Sequence, residues 1–302
     1  MKKLNISWDG VADSTGYLFS FAKSLACAVQ NSPYSELSAD IVATSGFAFR
    51  MWANADLCPS AMSIWAFSQQ KPWVENGGLQ CGYIERLWEQ DDVAEARRLD
   101  AIEMIKASID SGIAAISWEV GVPEWGLITG YDDEMQTFAT LCVNGAQGEM
   151  PYDTLGNGDI PLLNVLTIHG RTAKPQTDVL ADTLKMAKNH LLGGEWTDNA
   201  KGLAVYSVMT KACESDDPQL CLAWEMEYYL GTYAALKEYA WKYLEKCGHS
   251  KLAVLYKQIF ECWQAGFALR TAKDMSDSAN RAELAALLHE AERCEREAVT
   301  QM

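Results

Sequence analysis

Residues 118–133 read WEVGVPEWGLITGYDD and carry the strongest fold signal in the chain. Short β-rich runs lie in and around this stretch, and turns rich in glycine, proline or asparagine separate them. The runs are Ile113–Glu119, Trp125–Thr129, Gln136–Val143 and Leu162–Ile168. Because these strands lie close together in sequence, they predict an antiparallel sheet in which neighbours along the chain pair.

Helical patterns precede these strands. Apolar residues recur at helical spacing from Leu18 to Val29, with Asp13 and Ser14 as candidate N-terminal caps and Pro33 after the end. Further helices are predicted over about 35–43, 58–76 and 91–111, and a strand over 47–52. Helices followed by an antiparallel sheet indicate an α+β domain.

The strands cease after Arg171, and the polar stretch Thr172–Asp178 is interpreted as a linker. Helical patterns follow over about 179–192, 199–212, 217–246, 250–272 and 279–300, and the third of these is predicted to break near Gly231. We therefore predict an α+β domain over residues 1–172 and an all-α helical domain over residues 173–302.

The chain is strongly acidic, with 25 basic and 41 acidic side chains and a net charge of −16. Such a surface repels phosphate backbones and anionic membranes, so neither nucleic acid nor a membrane is a predicted partner. Residues 1–172 carry 10 basic and 22 acidic side chains, so the acidic bias lies mainly in the predicted α+β half.

The sequence also predicts a cytoplasmic location. The first residues are followed by a polar stretch rather than a signal-peptide core, and no apolar run approaches the roughly 18 residues of a membrane span. Nine cysteines without a C-x-x-C spacing indicate reduced thiols rather than a disulfide framework.

Common catalytic and cofactor motifs are absent from the sequence. The chain lacks the P-loop, dinucleotide-binding, nucleophile-elbow and zincin patterns. Its four histidines are scattered, and Cys213 and Cys221 match no common zinc spacing. The sequence therefore predicts no metal site and no cofactor.

Two sets of residues could still carry chemistry. Cys58 precedes a predicted helix start, where the helix dipole lowers a thiol pKa, and it could pair with His169 or be an ordinary turn residue. Glu119 and Glu124 each stand beside a tryptophan, and apolar walls can raise a carboxyl pKa enough for acid–base work. A solvated loop over packed tryptophans is the alternative for both carboxylates.

The segment Glu124-Trp125-Gly126-Leu127-Ile128-Thr129-Gly130-Tyr131-Asp132 resembles the histidine-bearing strand of papain-like enzymes. The resemblance is to the bacteriocin-processing double-glycine peptidases and to the butirosin biosynthesis protein H N-terminal family. Residues 45–50, 58–60 and 150–156 are similar to a bacterial branch of the butirosin-H-like group. The resemblance covers about residues 1–172 and implies a papain-like fold.

The resemblance also shows where this chain departs from the family. The family's histidine position falls on Glu124, and its third, orienting position falls near Asn144. The nucleophilic cysteine, expected at the start of the first helix, falls near Asp13–Gly16, where the chain has no cysteine. A carboxylate repels a thiolate instead of stabilising it, so peptidase activity is not expected.

We therefore expect a non-peptidase that binds a small polar or cationic ligand in the former active-site cleft. The residues expected to bind the ligand are Asp13, Glu119, Glu124, Trp125 and Asn144. Carboxylates beside indoles suit an amine, through charge and cation–π contact.

The alternative is an acyltransferase or amide hydrolase acting on an amine-containing small molecule, as the butirosin-H resemblance implies. Its nucleophile would be Ser14, Thr15 or Cys58, with Glu124 as a base. A third class is an interaction protein whose helical half forms a homodimer through an aromatic stripe. That stripe is equally typical of a helical core and consists of Trp224, Tyr228, Tyr229, Tyr233, Tyr239, Trp241 and Tyr243.

Overall fold

The computed structural model describes all 302 residues, which form two compact units. Unit 1 contains residues 1–12, 20–41 and 68–175, and unit 2 contains residues 13–19, 42–67 and 176–302. Residues 13–19 and 42–67, which the sequence-based division placed with the first half, thus contribute to unit 2.

The regular elements are numbered in chain order. The helices are α1 (Ser20–Gln30), α2 (Ile41–Thr44), α3 (Gln70–Asn76), α4 (Ala94–Asp110), α5 (Gln176–Leu191), α6 (Ala204–Glu214), α7 (Gln219–Leu222), α8 (Trp224–Lys246), α9 (Ser250–Ala272) and α10 (Ser278–Gln301). The strands are β1 (Lys2–Lys3), β2 (Trp52–Ala53), β3 (Leu79–Arg86), β4 (Ala115–Ser117), β5 (Gly126–Asp132), β6 (Thr137–Leu141), β7 (Gln147–Pro151), β8 (Leu163–Arg171) and β9 (Ala200–Lys201).

Unit 1 is built on a seven-stranded antiparallel sheet. Its order is β3-β8-β4-β5-β6-β7, and β1 pairs with β5. The predicted α+β class and the antiparallel sheet are confirmed, but the predicted pairing of neighbours along the chain is wrong for β8, which pairs with β3 and β4. Three strands of this sheet were not predicted: β1 has only two residues, β7 is an exposed, polar edge strand without apolar alternation, and β3 precedes the charged helix α4, where no strand was expected.

Helices cover both faces of this sheet. Helix α1 packs against β4 and β5, while α4 packs against β3, β5 and β8. Residues 126–130 of β5 are all buried, so neither face of this strand meets solvent. The start of α1 and the start of β5 are therefore held by packing, and this is where Ser20 and Glu124 meet.

Several predicted elements in the first half are wrong. Helix α1 begins at Ser20 rather than near residue 13, because Asp13 accepts hydrogen bonds from the backbone N–H groups of Gly16 and Leu18 and closes a separate turn. The predicted helix 35–43 is reduced to a 3-10 turn and the four residues of α2, and the predicted strand 47–52 to a 3-10 turn and β2. All residues from 41 to 53 are buried, so their pattern has no polar face that would reveal a period.

Unit 2 is mainly helical, as predicted. Helix α8 packs against α9, α9 against α10 and α10 against α6, and β2 pairs with β9.

The predicted break in the long third segment falls at Ala223, between α7 and α8, rather than near Gly231. Gly231 is helical, and a Cβ there would lie only 2.7 Å from the Tyr17 ring, so close packing explains the glycine. None of the helices combines the length and the apolar composition that a membrane crossing requires.

Candidate functional site

Unit 1 brings Ser20 and Glu124 together, at the start of α1 and just before β5. The Ser20 hydroxyl donates a hydrogen bond to Glu124 Oε2, and the backbone N–H of Trp125 donates to Ser20 Oγ over 3.3 Å. Sequence reasoning missed Ser20 because it placed the helix start seven residues too early. The available signal was a small polar residue at the head of an otherwise apolar helix.

The Ser20–Glu124 pair is built for structure rather than for nucleophilic attack. Ser20 is 2% exposed, and its oxygen both donates to Glu124 and accepts from Trp125. A nucleophile needs an accessible oxygen at hydrogen-bonding distance of a base, and burial removes the first of these conditions. The pair thus ties the start of α1 to the turn that leads into β5.

The predicted residues near position 13 belong to unit 2, whereas Glu124 belongs to unit 1. Their juxtaposition therefore stays a prediction. Within unit 2, Thr15 Oγ1 donates to the carbonyl oxygen of Gly231 over 2.9 Å, and Ser14 is exposed. These contacts give neither hydroxyl a carboxylate or imidazole base within unit 2.

Cys58 and His169 also lie in different units, so the predicted dyad stays a prediction. Cys58 is half-buried before a 3-10 turn over 59–63, and its Sγ lies 3.0 Å from Ser60 Oγ. The predicted α-helix over 58–76 is therefore wrong in its first half, since only α3 is α-helical. His169 is exposed near the end of β8.

Two further predicted binding residues serve the framework of unit 1. Trp125 has no exposed surface, and its indole packs edge-on against Phe21 and Trp118 at centroid distances of 5.1 and 5.4 Å. Asn144 is exposed in the turn between β6 and β7, where its Oδ1 accepts the N–H of Ala146 over 3.0 Å. The Trp125 ring is therefore not accessible to a ligand, and the side-chain oxygen of Asn144 already accepts a hydrogen bond within the turn.

Glu119 has a different environment, on the wall of an open pocket of about 310 Å³. Its φ of 57° lies in the left-handed region, which costs a residue with a side chain about 1–3 kcal/mol. Glu119 Oε1 accepts the N–H of Asp159 over 2.7 Å, and this bond helps hold the strained backbone. A Cβ at Gly158 would lie 2.4 Å from the Glu119 carboxylate, so the absence of a side chain at this position makes room for the carboxylate.

The lining of this pocket is acidic and partly apolar. Its charged residues are Glu119, Glu149 and Asp159, and it contains no lysine, arginine or histidine. None of the three carboxylates forms an ion pair. The apolar part of the lining is formed by Trp118, Val122, Pro123, Met150, Pro151 and Leu155.

A second open pocket of about 430 Å³ in unit 1 has a different charge pattern. It is lined in part by Glu95, Arg98 and Asp153, and Arg98 forms an ion pair with Glu95 and donates to the carbonyl oxygen of Asp153. The cation is thus supplied by the protein itself. This pocket therefore serves as a control for the acidic pocket, whose lining contains no basic side chain.

Unit 2 contains a buried ionic group that the sequence did not suggest. The Arg50 guanidinium pairs with both carboxylate oxygens of Glu195, and Glu195 Oε2 lies 2.8 Å from His190 Nδ1. Burial raises the pKa of Glu195, but Arg50 and His190 outweigh this and lower the pKa to about 2. Burial lowers the pKa of His190, which has no exposed surface.

A second buried group joins four helices of unit 2, α6, α8, α9 and α10. Lys237 Nζ lies 2.6 Å from Glu295 Oε1, and the hydroxyls of Tyr206 and Tyr256 donate to the same carboxylate over 2.8 and 3.2 Å. Lys237 and Glu295 have no exposed side-chain surface. No group of three or more histidine, cysteine, aspartate or glutamate side chains is placed to hold a metal ion.

No family model matches the chain, and no curated protein is detectably similar to it. The functional interpretation therefore depends on the geometry of the residues themselves. Of the residues predicted from the sequence, Glu119 and Glu124 lie in the same loop of unit 1. Glu149 and Asp159 are charged pocket residues that the sequence analysis missed. Both fall in exposed, irregular or edge segments, where no periodic pattern distinguishes a pocket from a solvated loop.

Proposed function

We propose that unit 1 is a papain-like domain without Cys–His chemistry, which binds a small amine or other organic cation in the acidic pocket. In the papain-like families that the sequence resembles, a nucleophile is expected at the start of the first helix and a base just before a central strand. In this chain Ser20 at the start of α1 is hydrogen-bonded to Glu124 just before β5, and this contact supports the proposal of a non-catalytic pair.

The observation that carries the ligand class is the charge of the pocket. Three carboxylates without ion-pair partners line a space of about 310 Å³, which is at the small end of known ligand pockets. A cation that enters the pocket is attracted by these carboxylates, which have no positive side chain of the protein beside them. The apolar residues of the lining, such as Trp118 and Met150, would contact the methylene groups of an alkylamine.

Binding should be measured by isothermal titration calorimetry with a linear diamine, a polyamine and an aminoglycoside. The matched controls are the N-acetylated forms of the same compounds, which keep the shape and lose the charge. We expect the amines to bind and the acetylated forms to bind at least ten-fold more weakly. Because Glu149 and Asp159 are exposed, affinity should also fall as salt rises from low to physiological ionic strength.

Variants locate the binding in the pocket. Glu149→Gln combined with Asp159→Asn removes two charges and keeps the side-chain shapes, and we expect the affinity for the diamine to fall at least five-fold. Glu95→Gln, in the pocket where Arg98 already supplies a cation, should leave the affinity unchanged. If no amine binds, or if both sets of variants weaken binding equally, the proposal is wrong.

A further inference from the structure

Strand β7 lies at an open edge of the sheet in unit 1. It is the last strand in the sheet order and pairs only with β6, and four of its five residues are exposed. At the opposite edge, by contrast, the backbone N–H of Cys81 in β3 donates to a side chain of the protein, Glu75 Oε1, over 3.0 Å. An exposed edge strand is a template for pairing with a further strand.

The hydrogen-bond ladder shows which backbone groups of β7 lack partners. At the two ends of the β6–β7 hairpin, the N–H groups of Cys142 and Tyr152 donate to carbonyl oxygens on the opposite side of the hairpin. Because hydrogen-bonded pairs alternate in an antiparallel ladder, Gly148 bonds to β6, whereas Gln147 and Glu149 face away from it. The backbone N–H and C=O groups of Gln147 and Glu149 have no partner in the protein.

The acidic pocket lies along this edge. Glu149 lines it together with Glu119 and Asp159, and the lining contains no basic side chain. Gly148 leaves the edge open toward Thr140, another lining residue, because a Cβ at Gly148 would lie 3.5 Å from Thr140 Oγ1. Side chains of a strand alternate between its two faces, so a strand paired with β7 places every second side chain on the face of Thr140.

The charges of the edge favour one kind of strand. Glu149 is the central residue of β7, so two copies of β7 that pair antiparallel about their centres place one Glu149 opposite the other. Like charges directly opposite each other destabilise a strand pair, and opposite charges stabilise it. Pro151 also lacks an N–H to donate at the end of the strand. A second copy of this chain therefore fits the edge poorly, whereas an extended segment with a lysine is complementary to it.

We propose that β7 binds an extended, lysine-containing segment of a partner protein by strand addition, with the lysine ammonium in the acidic pocket. Backbone hydrogen bonds to Gln147 and Glu149 supply affinity, and the pocket carboxylates select the lysine. This inference rests on the proposed function and deepens it, because the bound amine becomes a side chain of a polypeptide.

Isothermal titration calorimetry on the full chain separates the backbone from the ammonium. The probe is a short peptide, blocked at both ends, in which valine and threonine flank a central lysine. Its controls are the same peptide with Nε-acetyl-lysine and a single lysine blocked at both ends. We expect the peptide to bind at least ten-fold more tightly than the blocked lysine, and acetylation to weaken the peptide at least ten-fold.

Amide hydrogen exchange followed by NMR locates the peptide on the protein. In the free protein, the N–H groups of Gln147 and Glu149 should exchange quickly, while that of Gly148 is protected by its bond to β6. The bound peptide should slow the exchange of Gln147 and Glu149 at least ten-fold. Peptide binding without this protection would overturn the proposal, because the backbone of β7 would then take no part.

A pair of variants at one position tests the outward N–H. Gln147→Pro removes that N–H without a bond of the β6–β7 ladder, and Gln147→Ala is the matched control that keeps it. Both variants lose the hydrogen bond that Lys3 Nζ donates to Gln147 Oε1 over 3.0 Å. We expect Gln147→Pro to bind the peptide at least five-fold more weakly than Gln147→Ala, with equal affinity for the blocked lysine. Circular dichroism checks that both are folded, and equal peptide affinities in the two folded variants would contradict strand addition.

The same measurements separate failure of the inference from failure of the proposed function. If the blocked lysine binds and the peptide binds no more tightly, strand addition is wrong and the amine site stands. If neither the blocked lysine nor the peptide binds, the proposed function is wrong and the inference is wrong with it. A dimer in light scattering that Gln147→Pro abolishes and Gln147→Ala keeps would assign the edge to a second copy of this chain and overturn the proposal.

Discussion

The pocket carboxylates of unit 1 and two buried carboxylates of unit 2 are arranged in opposite ways. In unit 1, Glu119, Glu149 and Asp159 line an open pocket without ion-pair partners. In unit 2, Glu195 and Glu295 are buried or nearly so and bind Arg50 and Lys237 at 2.7 and 2.6 Å. Glu295 also accepts hydrogen bonds from two tyrosines.

This difference distinguishes carboxylates that stabilise the fold from carboxylates that are available to a ligand. A buried carboxylate whose oxygens are already bound by protein groups cannot also bind a ligand. A shift in the pKa of such a group reflects its structural role. An exposed carboxylate without a counter-charge contributes little to stability but can attract a cation. Two buried ion pairs of this chain therefore lie in unit 2, whereas the proposed ligand site lies in unit 1.

The largest effect is expected at the buried pair of unit 2. Glu295→Gln leaves the Lys237 ammonium buried without a counter-charge, and such a change typically costs about 3–5 kcal/mol of unfolding free energy. Urea denaturation followed by circular dichroism would measure it. Glu297→Gln, exposed on the same helix, should change stability by less than about 0.5 kcal/mol. Similar values for the two variants would contradict the structural role assigned to Glu295.

A smaller effect is expected at the Ser20–Glu124 pair. Ser20→Ala removes the donor to Glu124 and one acceptor of the Trp125 N–H, which should cost about 1–2 kcal/mol. Ser24→Ala is the matched control one turn further along α1, because the Ser24 hydroxyl is buried without a hydrogen-bond partner. We expect that control to be neutral or stabilising. Amine binding should survive Ser20→Ala, and its loss would show that Ser20 belongs to the ligand site.

The buried imidazole of unit 2 predicts a loss of stability in acid. The folded pKa of His190 lies below its unfolded value of 6.5, mainly because burial disfavours the imidazolium. Below pH 6.5 the unfolded chain therefore binds a proton that the folded chain does not, and stability falls by up to about 1.4 kcal/mol per pH unit. Glu195 adds a later loss: its contribution is complete above its unfolded pKa of 4.5 and disappears as pH falls through its folded pKa of about 2.

Denaturation midpoints between pH 7.5 and 5.5 would isolate the histidine. His190→Gln should reduce the change in denaturation midpoint over this pH range. His169→Gln, on the exposed end of β8, should leave that change as it is in the native protein. An unchanged slope in His190→Gln would mean that another group causes the acid sensitivity.

The smallest effect on stability is expected in the acidic pocket. Glu149→Gln and Asp159→Asn should each change the unfolding free energy by less than about 0.5 kcal/mol, since both side chains are exposed and unpaired. The same variants are expected to weaken amine binding. A large loss of stability would instead assign these carboxylates to the framework, as in unit 2.

The fold class could be predicted because periodicity is a local property. The strands around residues 113–143 and the long C-terminal helices follow from alternating or helical spacing, and the structure confirms them. Residues 41–53 could not be predicted in the same way, because they are buried on every side and their sequence carries no period. The candidate site residues were predicted only in part: Glu119 and Glu124 stood out beside tryptophans, and Ser20 had only the weak signal of a small polar residue at the head of an apolar helix. Glu149 and Asp159 carried no signal of their own.

The sequence by itself determined the α+β first half, the helical second half and the acidic surface, because each follows from composition or from short-range spacing. Only the tertiary structure decided which charges are paired. Arg50 and Glu195 lie 145 residues apart and Lys237 and Glu295 lie 58 apart, so no local pattern connects them. The partner of a side chain depends on how distant segments pack, and this same packing leaves the pocket carboxylates of unit 1 without a counter-charge.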